Sequence, residues 1–136
     1  LRCVDFSGSW KSDIGERYTI QQRNCSWMRM LKFYGAEKDS LTIVPDNRVR
    51  PVPGRNAQIR HRWNSITNGT VLEATRTYVS SGNLITEITT FERANSELLL
   101  ETTYREIRRL SGPGEVHHEY DQQVFRRAPV IPGQSG

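Results

Sequence analysis

Apolar and polar residues alternate along this chain with a period near two, in short runs separated by turn residues. The runs are rich in Val, Ile, Thr, Tyr and Trp, the composition of strands. Reversals are expected at Asp13-Ile14-Gly15, Tyr34-Gly35, Pro51-Val52-Pro53-Gly54, Asn68-Gly69, Ser80-Ser81-Gly82-Asn83, Arg93-Ala94-Asn95 and Ser111-Gly112-Pro113-Gly114. Asn68-Gly69 between two strand-like runs is a strong hairpin signal. No repeat and no long amphipathic helix interrupts the series. The pattern predicts an all-β fold, a single antiparallel meander of about eight strands closing into a barrel or a sandwich, of which the barrel is carried forward. Residues 45–57 read as the longest loop. The barrel is expected over 1–128 and a disordered C-terminal tail over 129–136.

Strand alternation also predicts which side chains face inward when charged residues are assigned to the outside. Ile59, His61 and Trp63 then point in from 58–64, and Leu72, Ala74, Arg76 and Tyr78 from 71–79. In 83–91 the rule sends Glu87 out and leaves Leu84, Thr86 and Ile88 inside. In 97–109 it sends Glu101 and Arg105 out, with Leu98, Leu100, Thr102, Tyr104 and Glu106 inside. In 115–127 it places His118, Tyr120, Gln122, Val124 and Arg126 inside. A one-residue slip would invert any of these faces. Segment 26–34 stays ambiguous, because Arg29 and Lys32 fall on opposite faces.

That interior is unusual for a packing core, since it mixes Leu, Ile and Val with His61, Arg76, Tyr78, Tyr104, Tyr120 and Gln122. A buried arginine is costly unless paired or solvated. It needs either an internal carboxylate such as Glu106 or a wet cavity that admits an anion.

Composition narrows the alternatives. The 136 residues fit one domain with its own core. Net charge is +4, but the arginines are dispersed and 15 acidic residues lie among them, unlike a clustered nucleic-acid surface. No stretch is apolar enough to span a membrane as a helix. Cys3 and Cys25 would lie nearly opposite each other if the first strand (4–11) turns and returns through 17–25, so a disulfide is expected, with two free thiols as the alternative. A disulfide implies an oxidising, secreted or periplasmic setting. A start at Leu1 fits a processed exported chain or a trimmed one. The triplets Asn24-Cys25-Ser26 and Asn68-Gly69-Thr70 matter only in a eukaryotic secretory host. Adjacent His117 and His118 point to opposite faces of a strand, so no metal site is expected. No nucleophile elbow, Walker loop or dinucleotide fingerprint is present, and Glu106 with His118 could in principle act as an acid–base pair, with no nucleophile or cofactor motif beside it.

Two motifs carry a resemblance. Phe6-Ser7-Gly8-Ser9-Trp10-Lys11 opens the chain and Gln123-Val124-Phe125-Arg126-Arg127-Ala128 closes it. Together they resemble the small lipocalin-like (calycin) β-barrels of bacterial secreted proteins. The resemblance implies that an arginine of the last strand lies across the Trp10 indole, with Arg126 expected and Arg127 the alternative in a slipped strand. The opening Cys3, Gly8-Ser9-Trp10, Asp13-Ile14-Gly15 and Thr19-Ile20 is also similar to avidins, with Trp63 in the place of a pocket tryptophan. Glu16 stands where a biotin-binding serine would be, so biotin binding is not carried over. Fatty-acid carriers end in arginine-x-tyrosine, whereas this chain has Gln123-Val124-Phe125.

The functional expectation is therefore non-catalytic binding of a small amphiphilic or hydrophobic molecule, anionic in one version, in the barrel interior. The expected ligand-binding residues are His61, Trp63, Arg76, Tyr78, Tyr104 and Tyr120, and no cofactor is expected. The alternative is an interaction or inhibitor module with a filled barrel and functional loops.

Overall fold

The computed structural model describes residues 3–64, 66–67, 69–112 and 114–129. Ten strands form: β1 (Gly8–Ser12), β2 (Glu16–Arg23), β3 (Trp27–Tyr34), β4 (Glu37–Ile43), β5 (Arg50–Pro51), β6 (Ala57–Trp63), β7 (Val71–Ser80), β8 (Asn83–Asn95), β9 (Leu98–Arg109) and β10 (His117–Arg127). No helix occurs among the described residues, so none is long and apolar enough to cross a membrane.

All ten strands join one antiparallel sheet in the order β4-β3-β2-β1-β10-β9-β8-β7-β6-β5. Chain neighbours are sheet neighbours, and β1 meets β10. The meander is thus circular, opened at a seam between β4 and β5. The sheet curls until its halves face each other, as in half of a barrel. The count exceeds eight partly because the expected loop over 45–57 contains the two-residue β5. Its anchor, Asp46, bridges to Arg62 and is gripped by Arg50 at 2.5 Å. The reversal expected at Arg93-Ala94-Asn95 is instead an irregularity in β8 that moves the turn to Ser96-Glu97. The expected Asn68-Gly69 turn falls partly outside the described residues, as does nearly all of the expected 129–136 tail. Pro129 itself is tied down, its carbonyl accepting from Arg17 Nη1 at 2.7 Å.

The core sits at one end of the curl, where Phe6, Trp10, Met28, Leu72, Leu99 and Phe125 are fully buried. Segment 3–7 crosses this end before β1 begins. Gln22 fastens it, accepting from Phe6 N–H and donating to the Val4 carbonyl, both at 2.8 Å. Phe6 stacks on Trp63 at 5.9 Å, and Trp63 Nε1 donates to the Cys25 carbonyl. Cys3 and Cys25 are disulfide-bonded with Cα atoms 5.3 Å apart, as the first hairpin predicts. Closing a loop of this size constrains the unfolded chain by roughly 3 kcal/mol.

Gly8, Trp10 and the last strand interlock at the same end. The guanidinium over the indole belongs to Arg127, 3.9 Å from the ring centroid, and not to Arg126. The register pairs Trp10 with Arg127 on one face and Lys11 with Arg126 on the other. Arg127 also donates to the carbonyls of Ser7 and Ser96. Gly8 is required twice: its φ is +125°, and a Cβ there would run into the Arg127 guanidinium.

Candidate functional site

Above this floor the two halves of the sheet flank a half-open cavity of about 300 Å3. Its apolar wall comes from both sides, with Met30 and Ile43 facing Ile59, Ala74 and Phe91. Its polar groups are Tyr18, Lys32, Asp39, His61, Arg76, Glu87 and Glu101. The volume lies at the lower end of the roughly 300–1,000 Å3 typical of small-molecule sites.

Two charged clusters shape it. On one side, Arg105 grips Glu87 through two bonds of 2.7 and 2.9 Å and reaches Glu119 at 3.2 Å. Arg76 stands 4.0 Å from the other Glu87 oxygen and 4.8 Å over the Tyr78 ring. Glu87 is thus committed mainly to Arg105, and the buried Arg76 Nε has no hydrogen-bond partner among the described residues. On the other side, the Tyr18 hydroxyl donates to Glu101 at 2.7 Å. Burial, and then the neighbouring Glu101 carboxylate, push the Tyr18 hydroxyl far up, so it stays a donor. Burial also raises Glu101, with the Tyr18 bond working against it. Lys32 lies 5.6 Å over the Tyr18 ring and 3.4 Å from Glu16. His61 is buried, and its pKa falls to about 4, first from desolvation and then from the charge of Arg50. It is a neutral imidazole at neutral pH.

The expected ligand residues separate into three groups. His61 and Arg76 line the cavity, and Tyr78 flanks Arg76. Trp63 faces inward but belongs to the plugged floor, stacked on Phe6. Tyr104 and Tyr120 are on the outer face, correcting the inward assignment. Tyr120 is 69% exposed. Tyr104 stacks on His118, and their polar atoms are hydrogen-bonded on that outer face.

The whole assignment for β8, β9 and β10 is inverted. Leu84, Thr86, Ile88, Leu98, Leu100, Thr102 and Glu106 share the outer face, as do Gln122, Val124 and Arg126. Ile85, Glu87, Thr89, Phe91, Leu99, Glu101, Arg105 and Phe125 point in. The physical reason is cross-strand pairing. Glu87 and Arg105 lie opposite each other on β8 and β9 and satisfy one another, while Glu101 is satisfied by Tyr18. The Arg76 carboxylate is therefore Glu87; Glu106 bonds Arg108 at 3.0 Å outside. The missed signals were Phe91, Leu99 and Phe125, whose parity matches Glu87, Glu101 and Gln123. Glu106 and His118 lie opposite each other on the exposed outer face.

No family model, curated protein or solved structure matches this chain.

Proposed function

We propose that this protein is a lipocalin-like barrel that binds a small amphiphile without catalysis, its polar head at Arg76 and its apolar part against Met30, Ile43, Ile59 and Phe91. The observation that carries this reading is the half-apolar cavity whose arginine keeps a buried, unpartnered Nε. A buried N–H without an acceptor is unfavourable, and a ligand carboxylate would supply one. His61, neutral and buried, adds a polarisable wall without a competing charge. The disulfide supports an extracytoplasmic carrier, since such bonds persist in oxidising compartments, and the Trp10–Arg127 closure supports the lipocalin-like reading. The cavity also favours this reading over a filled interaction module.

Titration with lauric acid, lauryl alcohol and an anionic naphthalene sulfonate dye tests the proposal. The acid and the dye should bind more tightly than the alcohol. Arg76→Ala should weaken the acid by about 1.5–3 kcal/mol, the scale of a hydrogen bond to a charged group. Equal binding of acid by wild type and variant removes Arg76 from the site. No binding of any of the three removes the cavity reading.

A further inference from the structure

β10 is much longer than the strand that borders it. It pairs with β9 from His117 to Arg126, but with β1 only from Phe125 to Arg127. β1 stops because the chain reverses at Asp13-Ile14-Gly15. From His117 to Val124, β10 therefore has a neighbour on one side only among the described residues. At about 3.4 Å per residue that free edge is roughly 27 Å long.

The direction of its backbone groups follows from two bonds at the closed end. Arg127 N–H donates to the Glu97 carbonyl beside β9, and Ala128 N–H to the Ser9 carbonyl beside β1. Alternation then turns the N–H and C=O of His118, Tyr120, Gln122 and Val124 toward the free edge. The stretch has no proline and no bulge, two of the usual protections of an exposed edge. It carries two hydrophobic residues on the outer face, Tyr120 and Val124, and two carboxylates on the inner face. Glu119 is paired to Arg105, while Asp121 makes no hydrogen bond or ion pair among the described residues.

Charge argues against a second copy as the occupant. Two-fold antiparallel pairing preserves the sheet faces only if one residue sits on the axis. With Tyr120 on the axis, Glu119 opposes the copy's Asp121 twice. With Asp121 or Glu119 on the axis, a carboxylate opposes itself. With Gln122 on the axis, the copy's strand runs into β1 at Phe125. Every register using more than the first few residues of the edge thus meets like charges or a clash, and like charges directly opposite are destabilising.

We infer that the free edge of β10 takes up an extended segment of a partner protein whose inner-face positions carry lysine or arginine, adding it to the sheet as a further strand. Main-chain bonds to His118, Tyr120, Gln122 and Val124 give the affinity, and the carboxylates of Glu119 and Asp121 select basic side chains.

A labelled synthetic strand peptide alternating lysine with threonine and valine, and its glutamate-for-lysine counterpart, test this by anisotropy. The lysine peptide should bind, in a salt-sensitive way, with the glutamate peptide at least about tenfold weaker. Gln122→Pro removes an edge N–H without touching the β9 ladder, and should cost about tenfold or more, while Gln122→Thr retains binding. Asp121→Lys should shift the preference toward the glutamate peptide, which decides the matter if Gln122→Pro melts early. Lauric acid binding should be unchanged in folded Gln122→Pro, whose side chain lies on the outer face, separating this site from the cavity. Equal affinity for both peptides, binding by neither, or full binding by a folded Gln122→Pro would each overturn the inference. So would a dimer of the wild type that Gln122→Pro dissociates, because the edge would then belong to a second copy.

Discussion

The two ends of this half-barrel solve opposite problems. At the plugged end, Phe6, Trp10, Trp63, Leu99 and Phe125 exclude water, the disulfide clips segment 3–7 to the β2–β3 turn, and Arg127 spends its donors on carbonyls. At the open end, the same inner face carries Arg76, Glu87, Arg105 and Glu101, and β10 runs on with one edge bare among the described residues. The first region is a packing device, redundantly tied. The second keeps charge, space and unpaired backbone where packing would have removed them. Proteins retain such features at sites of function more often than elsewhere, because each costs stability. On the proposed reading, recognition belongs to the open end, while stability rests on the plugged one.

Substitutions can break that division. The largest effect is expected from Trp10→Ala, which empties the centre of the plugged end and should destabilise by roughly 3–5 kcal/mol. A urea melt measures it, and a midpoint that hardly moves would show that the floor is not the stabilising unit.

Next comes the arginine pair. Arg127→Ala removes the guanidinium–indole stack, worth about 0.5–2 kcal/mol, together with two bonds to carbonyls. Arg126→Ala, one residue away on the exposed face, should stay within about 0.5 kcal/mol of wild type. Equal losses would mean that the closing register is slipped.

A third test is a pH slope from the open end, confined to one pH window. His61 titrates near 6.5 when unfolded and near about 4 when folded, so the unfolded chain binds more protons between those values. Stability should hold above 6.5, fall as pH drops through this window, and stop falling from this cause near 4. His61→Asn should flatten that part of the profile, as read by urea midpoints across the window. An unchanged slope would place His61 in water.

Much of the fold was legible in the chain. Turn residues at short intervals and β-branched runs between them mark the hairpins, and the early Gly8-Ser9-Trp10 with a basic C-terminal strand marks where the meander meets itself. The pairing of Cys3 with Cys25 followed from hairpin geometry, because local connectivity alone brings them opposite. His61 and Arg76 were legible as inward because β6 and β7 alternate cleanly.

What the tertiary structure decided was the face of β8, β9 and β10. There the strands hold apolar residues at both parities, Ile85 with Ile88 and Leu98 with Leu99, so period two does not choose a side. The usual rule that charge points outward chose wrongly, since Glu87 and Arg105 neutralise each other across the ladder and Glu101 finds Tyr18 across the curl. A charge is expelled from an interior only if it lacks a partner there, and that partner is fixed by strand register and sheet curvature, not by anything local. For the same reason Arg127 rather than Arg126 covers Trp10, and β10 outruns β1 to leave its edge free.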